Sequence, residues 1–278
     1  MHITDSLSEL RTMRRSLIGT LGLVPTMGAL HLGHASLVSR ARAECDYVGV
    51  SIFVNPTQFS PGEDLVKYPR TLQKDLDLLK SLGVDVVWTP TPDIMYPSGF
   101  QTWVTVDEVA KPLEGASRPG HFQGVTTVVA KLFNVFTPDK AYFGQKDAQQ
   151  VAVLKRMALD LNFPVELVVC PTIREQDGLA MSSRNAYLNE AERRAARVLY
   201  QALCAAEEKY KVGEQSAEVL RSTMHAVIES EPLAEVHYVS VADPENLDEL
   251  QQIPNGVLLS LAVRIGKTRL IDNFLLHR

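Results

Sequence analysis

Two hydrophobic rhythms run along the chain. Through the first 170 residues, short apolar runs of strand length alternate with segments whose apolar positions recur every three to four residues. The runs are LGLVPT (21–26), YVGVSIFV (47–54), VDVVWTP (84–90), WVTVD (103–107), KAYFG (140–144) and VELVVCP (165–171). Consecutive apolar positions suit strands covered on both faces, and their alternation with helical segments predicts βαβ units around a parallel sheet. PRTLQKDLDLLKSLG (69–83) has the spacing of a helix, with Pro69 suited to a first turn and Gly83 to the terminus. GVTTVVAKLFNVF (124–136) and DAQQVAVLKRMALDL (147–161) read as helices on the same grounds.

After Cys170 the texture changes. NEAERRAARVLYQALCAAEEKYKVG (189–213) and SAEVLRSTMHAVIES (216–230) are rich in Ala, Glu and Arg and carry a long 3.6-residue period. AEVHYVSVADP (234–244) and VLLSLAVRIGKTRLIDNFLL (257–276) follow as strands. The expected architecture is α/β, a Rossmann-like parallel sheet flanked by helices in residues 1–172, with a smaller C-terminal α+β domain in 173–278. The length of 278 residues and the 45% hydrophobic content are enough for two cores.

Charge and cysteine usage narrow the function classes. A net charge of −5 supplies no overall basic field for nucleic acid. Cys45, Cys170 and Cys204 are odd in number, far apart and without CxxC spacing, which argues against a disulfide framework or a zinc ribbon and for a reducing cytoplasm. The first residues contain no apolar core of signal-peptide length, and no run approaches the roughly 18 apolar residues of a membrane span. A soluble, cytoplasmic protein is expected.

The chemistry concentrates first in VPTMGALHLGHASLV (24–38), where His31 and His34 sit three residues apart beyond a strand. Residues at i and i+3 share a helix face and can reach one ion, but there is no HExxH and no nearby cysteine, and the other histidines are dispersed. Simple core packing explains the flanking Gly28 and Gly33 poorly, because glycine admits positive φ or a closely approaching ligand. A strand followed by a helix N-terminus supplies free amides and a positive dipole end, so an anion, most simply a phosphate, is the favoured guest. Other phosphate devices fail on spacing. IGKT (265–268) lacks the earlier glycine of a P-loop, Leu261 standing in its place, and no GxGxxG follows the first long strand.

Two later clusters complete the picture. YFGQKDAQQ (142–150) leaves a strand and opens a helix, which puts Gly144, Lys146 and Asp147 at a sheet edge. Lys146 is suited to phosphate charge, Asp147 to a helix cap or a ribose hydroxyl, and Gln150 lies one turn on. DGLAMSSRN (177–185) sets two hydroxyls beside Arg184 in an expected mobile loop, ahead of a helix beginning near Asn189.

Together these clusters resemble the pantoate–β-alanine ligase family of the nucleotidyltransferase superfamily. HLGH is similar to the superfamily's HxGH motif and MSSRN to the counterpart of its KMSKS loop. The resemblance extends through SIFVNPTQF, YPRTLQKD, RPGHFQGVTTVVAKLFN and AYFGQKDAQQ, most of the chain. It implies a homodimer, and a reaction in which the carboxylate of pantoate attacks the α-phosphorus of ATP to give pantoyl adenylate and pyrophosphate. The amine of β-alanine then displaces AMP and leaves pantothenate. The same resemblance implies that His31, His34, Lys146, Ser182, Ser183 and Arg184 contact the phosphates, with His34 the residue labelled catalytic. It puts Met27, Gly28, Ala29, Leu30, Leu32, Gly33, Gly144, Gln145, Asp147, Ile173 and Met181 around the nucleotide, Ile173 against the adenine through its backbone. Pro25, Met27, Gln58 and Gln150 would hold pantoate or β-alanine. Asp75, in RTLQKD, is the candidate holder of the Mg²⁺ that accompanies ATP. Gln145 stands where the family often has Glu. RPGHFQG, with Arg118 and His121, is expected to form a covering loop whose Gly120 and Gly124 permit closure.

Two other functions share part of this motif set. One is an aminoacyl-tRNA-synthetase-like nucleotidyl transferase, disfavoured by the acidic balance, since tRNA needs a phosphate-binding surface. The other is a non-catalytic nucleotide sensor, which would have no use for two substrate glutamines.

Overall fold

The computed structural model describes residues 1–60, 65–253 and 256–277. Two compact units divide the chain: Met1–Gly144 with Val153–Pro171, and Gln145–Ala152 with Thr172–Arg278. A linear division at 172/173 does not separate the short stretch Gln145–Ala152, which belongs with the C-terminal unit.

In chain order the first unit holds β1 (His2–Thr4), α1 (Leu7–Ser16), β2 (Leu21–Thr26), α2 (Leu32–Glu44), β3 (Tyr47–Ile52), α3 (Leu72–Ser81) and β4 (Val86–Trp88). The short helices α4 (Pro92–Met95) and α5 (Glu114–Ser117) follow, then α6 (His121–Phe136) and β5 (Lys140–Gly144). Helix α7 (Ala148–Asp160) begins in the second unit and returns the chain to β6 (Glu166–Cys170). All six strands are parallel, in the order β1-β4-β3-β2-β5-β6.

The period of two explains both faces of this sheet. Gly22 and Val24 pair with Val48 and Val50 on the face covered by Leu37, Val38 and Ala41 of α2 and Leu79 of α3. Leu23 pairs with Gly49 on the opposite face, where the Phe136 ring of α6 lies against Gly49. Both faces are buried, so the strands read as unbroken apolar runs. Strand β2 lies between β3 and β5, where the strand order reverses, and ligands of open α/β sheets bind beyond the carboxyl ends at such a point.

The second unit holds α8 (Glu190–Ala195), α9 (Val198–Lys211), α10 (Ala217–Glu229) and the antiparallel sheet β7 (Ala234–Ala242), β8 (Gly256–Ile265), β9 (Thr268–His277), in that order. Leu199, Leu203, Leu220 and Met224 of the helices pack on Val241, Leu259, Leu261 and Val263 of the sheet.

Several local expectations change. Trp103–Asp107 forms no strand. Its backbone finds side chains instead of a ladder: Thr127 Oγ1 accepts from the Val104 amide at 3.0 Å, and Thr126 Oγ1 donates to the Val104 carbonyl at 2.6 Å. An extended, β-branched segment laid along a helix has the same alternation as a strand. Pro69 stands ahead of α3, whose N-cap is Thr71, whereas Gly83 follows the C-cap with φ +73°. The 3.6-residue period over 189–213 is carried by two helices with a break at Ala196–Arg197, where Arg197 and Leu199 bond three residues back instead of four. The three-residue edge strand β1 is too short to show a period.

Candidate active site

In the first unit, β2 delivers the chain into a turn that no ordinary run of L-residues adopts easily. Gly28 has φ +82° and Ala29 φ +51°. What holds the turn comes from α3: Asp75 is 3% exposed, and its carboxylate accepts from the amides of Ala29 and Leu30, each at 2.9 Å, and from the Thr71 hydroxyl at 3.1 Å. Both oxygens are occupied by the turn and by Thr71. The carboxylate named as the Mg²⁺ candidate thus has a structural use in the turn. Among the described residues no group of three or more His, Cys, Asp or Glu could hold a metal ion.

The two histidines close the turn reciprocally. His31 is the N-cap of α2, and its Nδ1 accepts from the Gly33 amide at 3.1 Å; His34 Nδ1 accepts from the His31 amide at 3.3 Å. Here imidazoles do the work that Ser and Glu do in the usual capping box. An Nδ1 that accepts from an amide carries no proton, so each neutral ring bears its proton on Nε2. The pair therefore supplies two N–H donors of defined tautomer at a helix N-terminus, with ring centroids 4.2 Å apart. Gly33 is needed for closeness, because a Cβ there would meet His31 Nδ1 at 2.9 Å.

Gln58 ends a short 3₁₀ turn (Pro56–Gln58) that follows β3. Its Oε1 accepts from Asn55 Nδ2 at 3.1 Å, and its Nε2 donates to Met27 Sδ at 3.0 Å, which joins it to the histidine turn. The Gln58 carbonyl accepts from His121 Nδ1 at 2.8 Å and Arg118 Nη2 at 3.2 Å. Sequence reasoning passed over Asn55, 1% exposed, which also donates to the Gly124 carbonyl at 3.1 Å and accepts from Tyr96 Oη at 2.8 Å. Its position in NPTQ, three residues before Gln58, was the available signal.

RPGHFQG is not a covering loop. His121–Gly124 is the first turn of α6, with His121 buried. A Cβ on Gly124 would meet the Thr57 carbonyl oxygen at 2.5 Å and the Gln58 amide at 2.7 Å. That glycine serves close packing against the Gln58 turn, while Gly120, at φ +80°, is the N-cap.

In the second unit, Gln145–Asp147 forms one 3₁₀ turn ahead of α7. Lys146 Nζ lies 3.5 Å from Asp147 Oδ1. Gln150 is half-buried in the first turn of α7. The MSSR segment is tied down at several points. Ser182 caps a 3₁₀ helix (Ser183–Tyr187), its Oγ accepting from the Arg184 amide at 3.3 Å, and the Met181 amide donates to the Ile173 carbonyl at 2.9 Å. Asn185 Nδ2 donates to Glu175 Oε1 at 2.9 Å and to the Ala180 carbonyl at 3.1 Å. Arg193 of α8 binds Glu175 at 2.5 Å and Asp177 at 2.8 Å, and its hydrogen bonds hold the Asp177 carboxyl below the usual carboxylate range. These ties lie within the segment expected to be a mobile loop.

The family model for pantoate–β-alanine ligase matches residues 2–275. The chain is 60% identical over 277 residues to the pantothenate synthetase of Roseiflexus sp. (strain RS-1), covering 100% of both, and 58% identical to that of Chloroflexus aggregans (strain MD-66 / DSM 9485), covering 99% of this chain and 100% of the relative. It superposes on the crystal structure of pantothenate synthetase from Thermus thermophilus with TM-score 0.95, 46% identity and 99% coverage of each chain. The Francisella tularensis pantoate–β-alanine ligase, described as complexed with β-γ ATP and β-alanine, matches at TM-score 0.81 and 40% identity over 99% of this chain and 97% of that one. Among the described residues no helix is long and apolar enough to cross a membrane.

Proposed function

The chain belongs to the pantoate–β-alanine ligase family, and from that premise we propose how its own residues carry the ATP-dependent joining of pantoate to β-alanine. The reaction proceeds in two displacements. A carboxylate oxygen of pantoate bonds to the α-phosphorus while the bond to the β-phosphate oxygen breaks, releasing pyrophosphate. The β-alanine amine then forms the C–N bond, the bond from acyl carbon to AMP oxygen breaks, and the amine loses a proton. A carboxylate is already an adequate nucleophile, so the protein's task is to position it and to stabilise phosphate charge.

The reciprocal histidine cap is the observation that supports this reading. It leaves His31 and His34 as neutral Nε2–H donors on a helix N-terminus, the chemistry wanted at a developing phosphate charge. His34 acts as an electrostatic stabiliser. We assign Lys146, Ser182, Ser183 and Arg184 of the second unit to the phosphates, with Gln145, Asp147, Ile173 and Met181 of that unit and Gly144 of the first against the nucleotide. Pro25, Met27, Gln58 and Gln150 hold pantoate or β-alanine, the two glutamines through the donor and acceptor of their side-chain amides. Mg²⁺ would accompany ATP and set its charge against the phosphates, and we assign the Asp75 carboxylate to the turn. We further propose a homodimer in the cytoplasm, the latter in keeping with three free cysteines.

Purified protein given ATP, Mg²⁺, D-pantoate and β-alanine is expected to form AMP and pantothenate in equal amounts, with AMP requiring both substrates. Formation of ADP, or no turnover, defeats the reading. Asp75→Asn separates the turn from the metal. One amide bond and the charge are lost, so kcat/KM for ATP is expected to fall on the order of tenfold. The Mg²⁺ concentration for half-maximal rate stays unchanged. A raised Mg²⁺ requirement at unaltered ATP affinity would return Asp75 to the metal.

A further inference from the structure

The 3₁₀ turn that carries Lys146 is three residues long, too short to hold its own shape. Its support comes from the last strand. Asn273 of β9 is 3% exposed, and its Nδ2 donates to the carbonyl of Gln145 at 3.0 Å and to the carbonyl of Lys146 at 2.8 Å. Asn273 Oδ1 in turn accepts from Gln145 Nε2 at 3.0 Å. Both amide protons and one oxygen lone pair of a single buried side chain are thus committed to one turn, 127 and 128 residues away in sequence.

Asn273 is itself anchored. Its amide donates to Asp272 Oδ1 at 2.8 Å, and Asp272 binds Arg174 in a fork, at 2.6 and 2.9 Å. The guanidinium lies 4.8 Å from the Tyr200 ring centre and 5.1 Å from that of Phe274, and it donates to the Gly178 carbonyl at 3.0 Å. A fork-shaped charge pair held between two rings gives β9 a rigid register. Asn273 inherits that register and passes it to the turn. A neutral side chain suits the task, because a carboxylate in its place would oppose two carbonyl oxygens.

We propose that Asn273 is a positioning residue for Lys146, setting the backbone from which the ammonium projects and so acting on adenylate formation without touching the nucleotide. The proposal rests on the assignment of Lys146 to the phosphates. It also explains what Gln145 does where a carboxylate would carry charge: the amide completes the clamp by donating to Asn273.

A double-mutant cycle on the full enzyme tests it, using pre-steady-state pyrophosphate release with ATP, Mg²⁺ and pantoate. Asn273→Ala is expected to lower kcat/KM for ATP about tenfold with the KM for pantoate unchanged. In a Lys146→Ala background the same replacement should cost less than about twofold more, since a residue that acts through Lys146 has nothing left to position. Equal losses in both backgrounds, or no loss in the native background, overturn the proposal while leaving Lys146 its role. Normal pyrophosphate release by Lys146→Ala alone overturns the phosphate assignment and the proposal with it. Asn273→Asp, equal in size, guards against a folding failure of the alanine variant. It is expected to lose at least as much, again only when Lys146 is present, and native rates with Asp at this position count against the clamp.

Discussion

Replacing His34 by alanine is expected to slow pyrophosphate release by about 10²–10³-fold, the cost typical of removing one preorganised donor at a developing charge. The donor is the Nε2–H, whose proton is placed there because Nδ1 is occupied by the His31 amide at 3.3 Å. The same change strips an N-cap partner, and caps of this kind are worth about 0.5–2 kcal/mol of helix stability. The two effects separate with His34→Asn. Its side-chain oxygen can still accept from the His31 amide, so the thermal midpoint should return toward that of the native enzyme, while the rate stays low because no donor reaches as far as Nε2. Near-native single-turnover adenylation by His34→Ala would remove the assigned role. A His34→Asn variant that recovers rate together with stability would make His34 a cap and nothing more.

The largest expected effect on stability lies in the second unit, at Arg174. Its partner Asp272 has a side chain 1% exposed, and burial pushes that carboxyl up while Arg174 pulls it back. Arg174→Ala leaves a buried carboxylate without its fork, and breaking a buried pair by removing one partner costs about 3–5 kcal/mol. The loss should depend on pH. A carboxyl whose pKa is raised on folding holds more protons in the native than in the unfolded state at intermediate pH, so stability falls as pH rises through that window. The penalty is therefore greatest at neutral pH and fades toward about pH 4, where the unfolded carboxyl also protonates. Replacing both partners by apolar residues, Arg174→Leu with Asp272→Leu, should recover much of the loss. Both tryptophans, Trp88 and Trp103, lie in the first unit, so their fluorescence is blind to this change. Hydrogen exchange along Thr268–His277 reads it directly, and unchanged protection there in Arg174→Ala would show that the pair carries no such weight.

The same pair shows how far reading the chain could go. Arg174 and Asp272 are 98 residues apart, and neither stands in a motif. The histidine turn was legible because everything that identifies it is local: a doubly buried strand, Gly28 and Gly33 at the positions that need them, and two rings at capping spacing. Trp103–Asp107 was misread because alternation reports an extended backbone with two environments and does not say whether a strand or the hydroxyls of Thr126 and Thr127 will satisfy its amides. The break at Ala196–Arg197 was invisible, since neither residue is a helix breaker and the 3.6-residue period runs through it.

By itself the chain determined the sheet's β2, β3 and β5 to within a few residues, the helix that opens at His31, and the family whose motifs recur in order along it. These are matters of local propensity, of hydrophobic period and of chemically specific short patterns. Only the tertiary structure decided what holds each functional turn in place. Asp75 is the clamp of Ala29 and Leu30, Asn55 becomes the partner of Gln58, and Asn273 the support of Lys146. A buried amide or carbonyl must find a partner, but which residue supplies it across 46 or 127 positions is set by strand order and helix packing, and no local pattern encodes that choice.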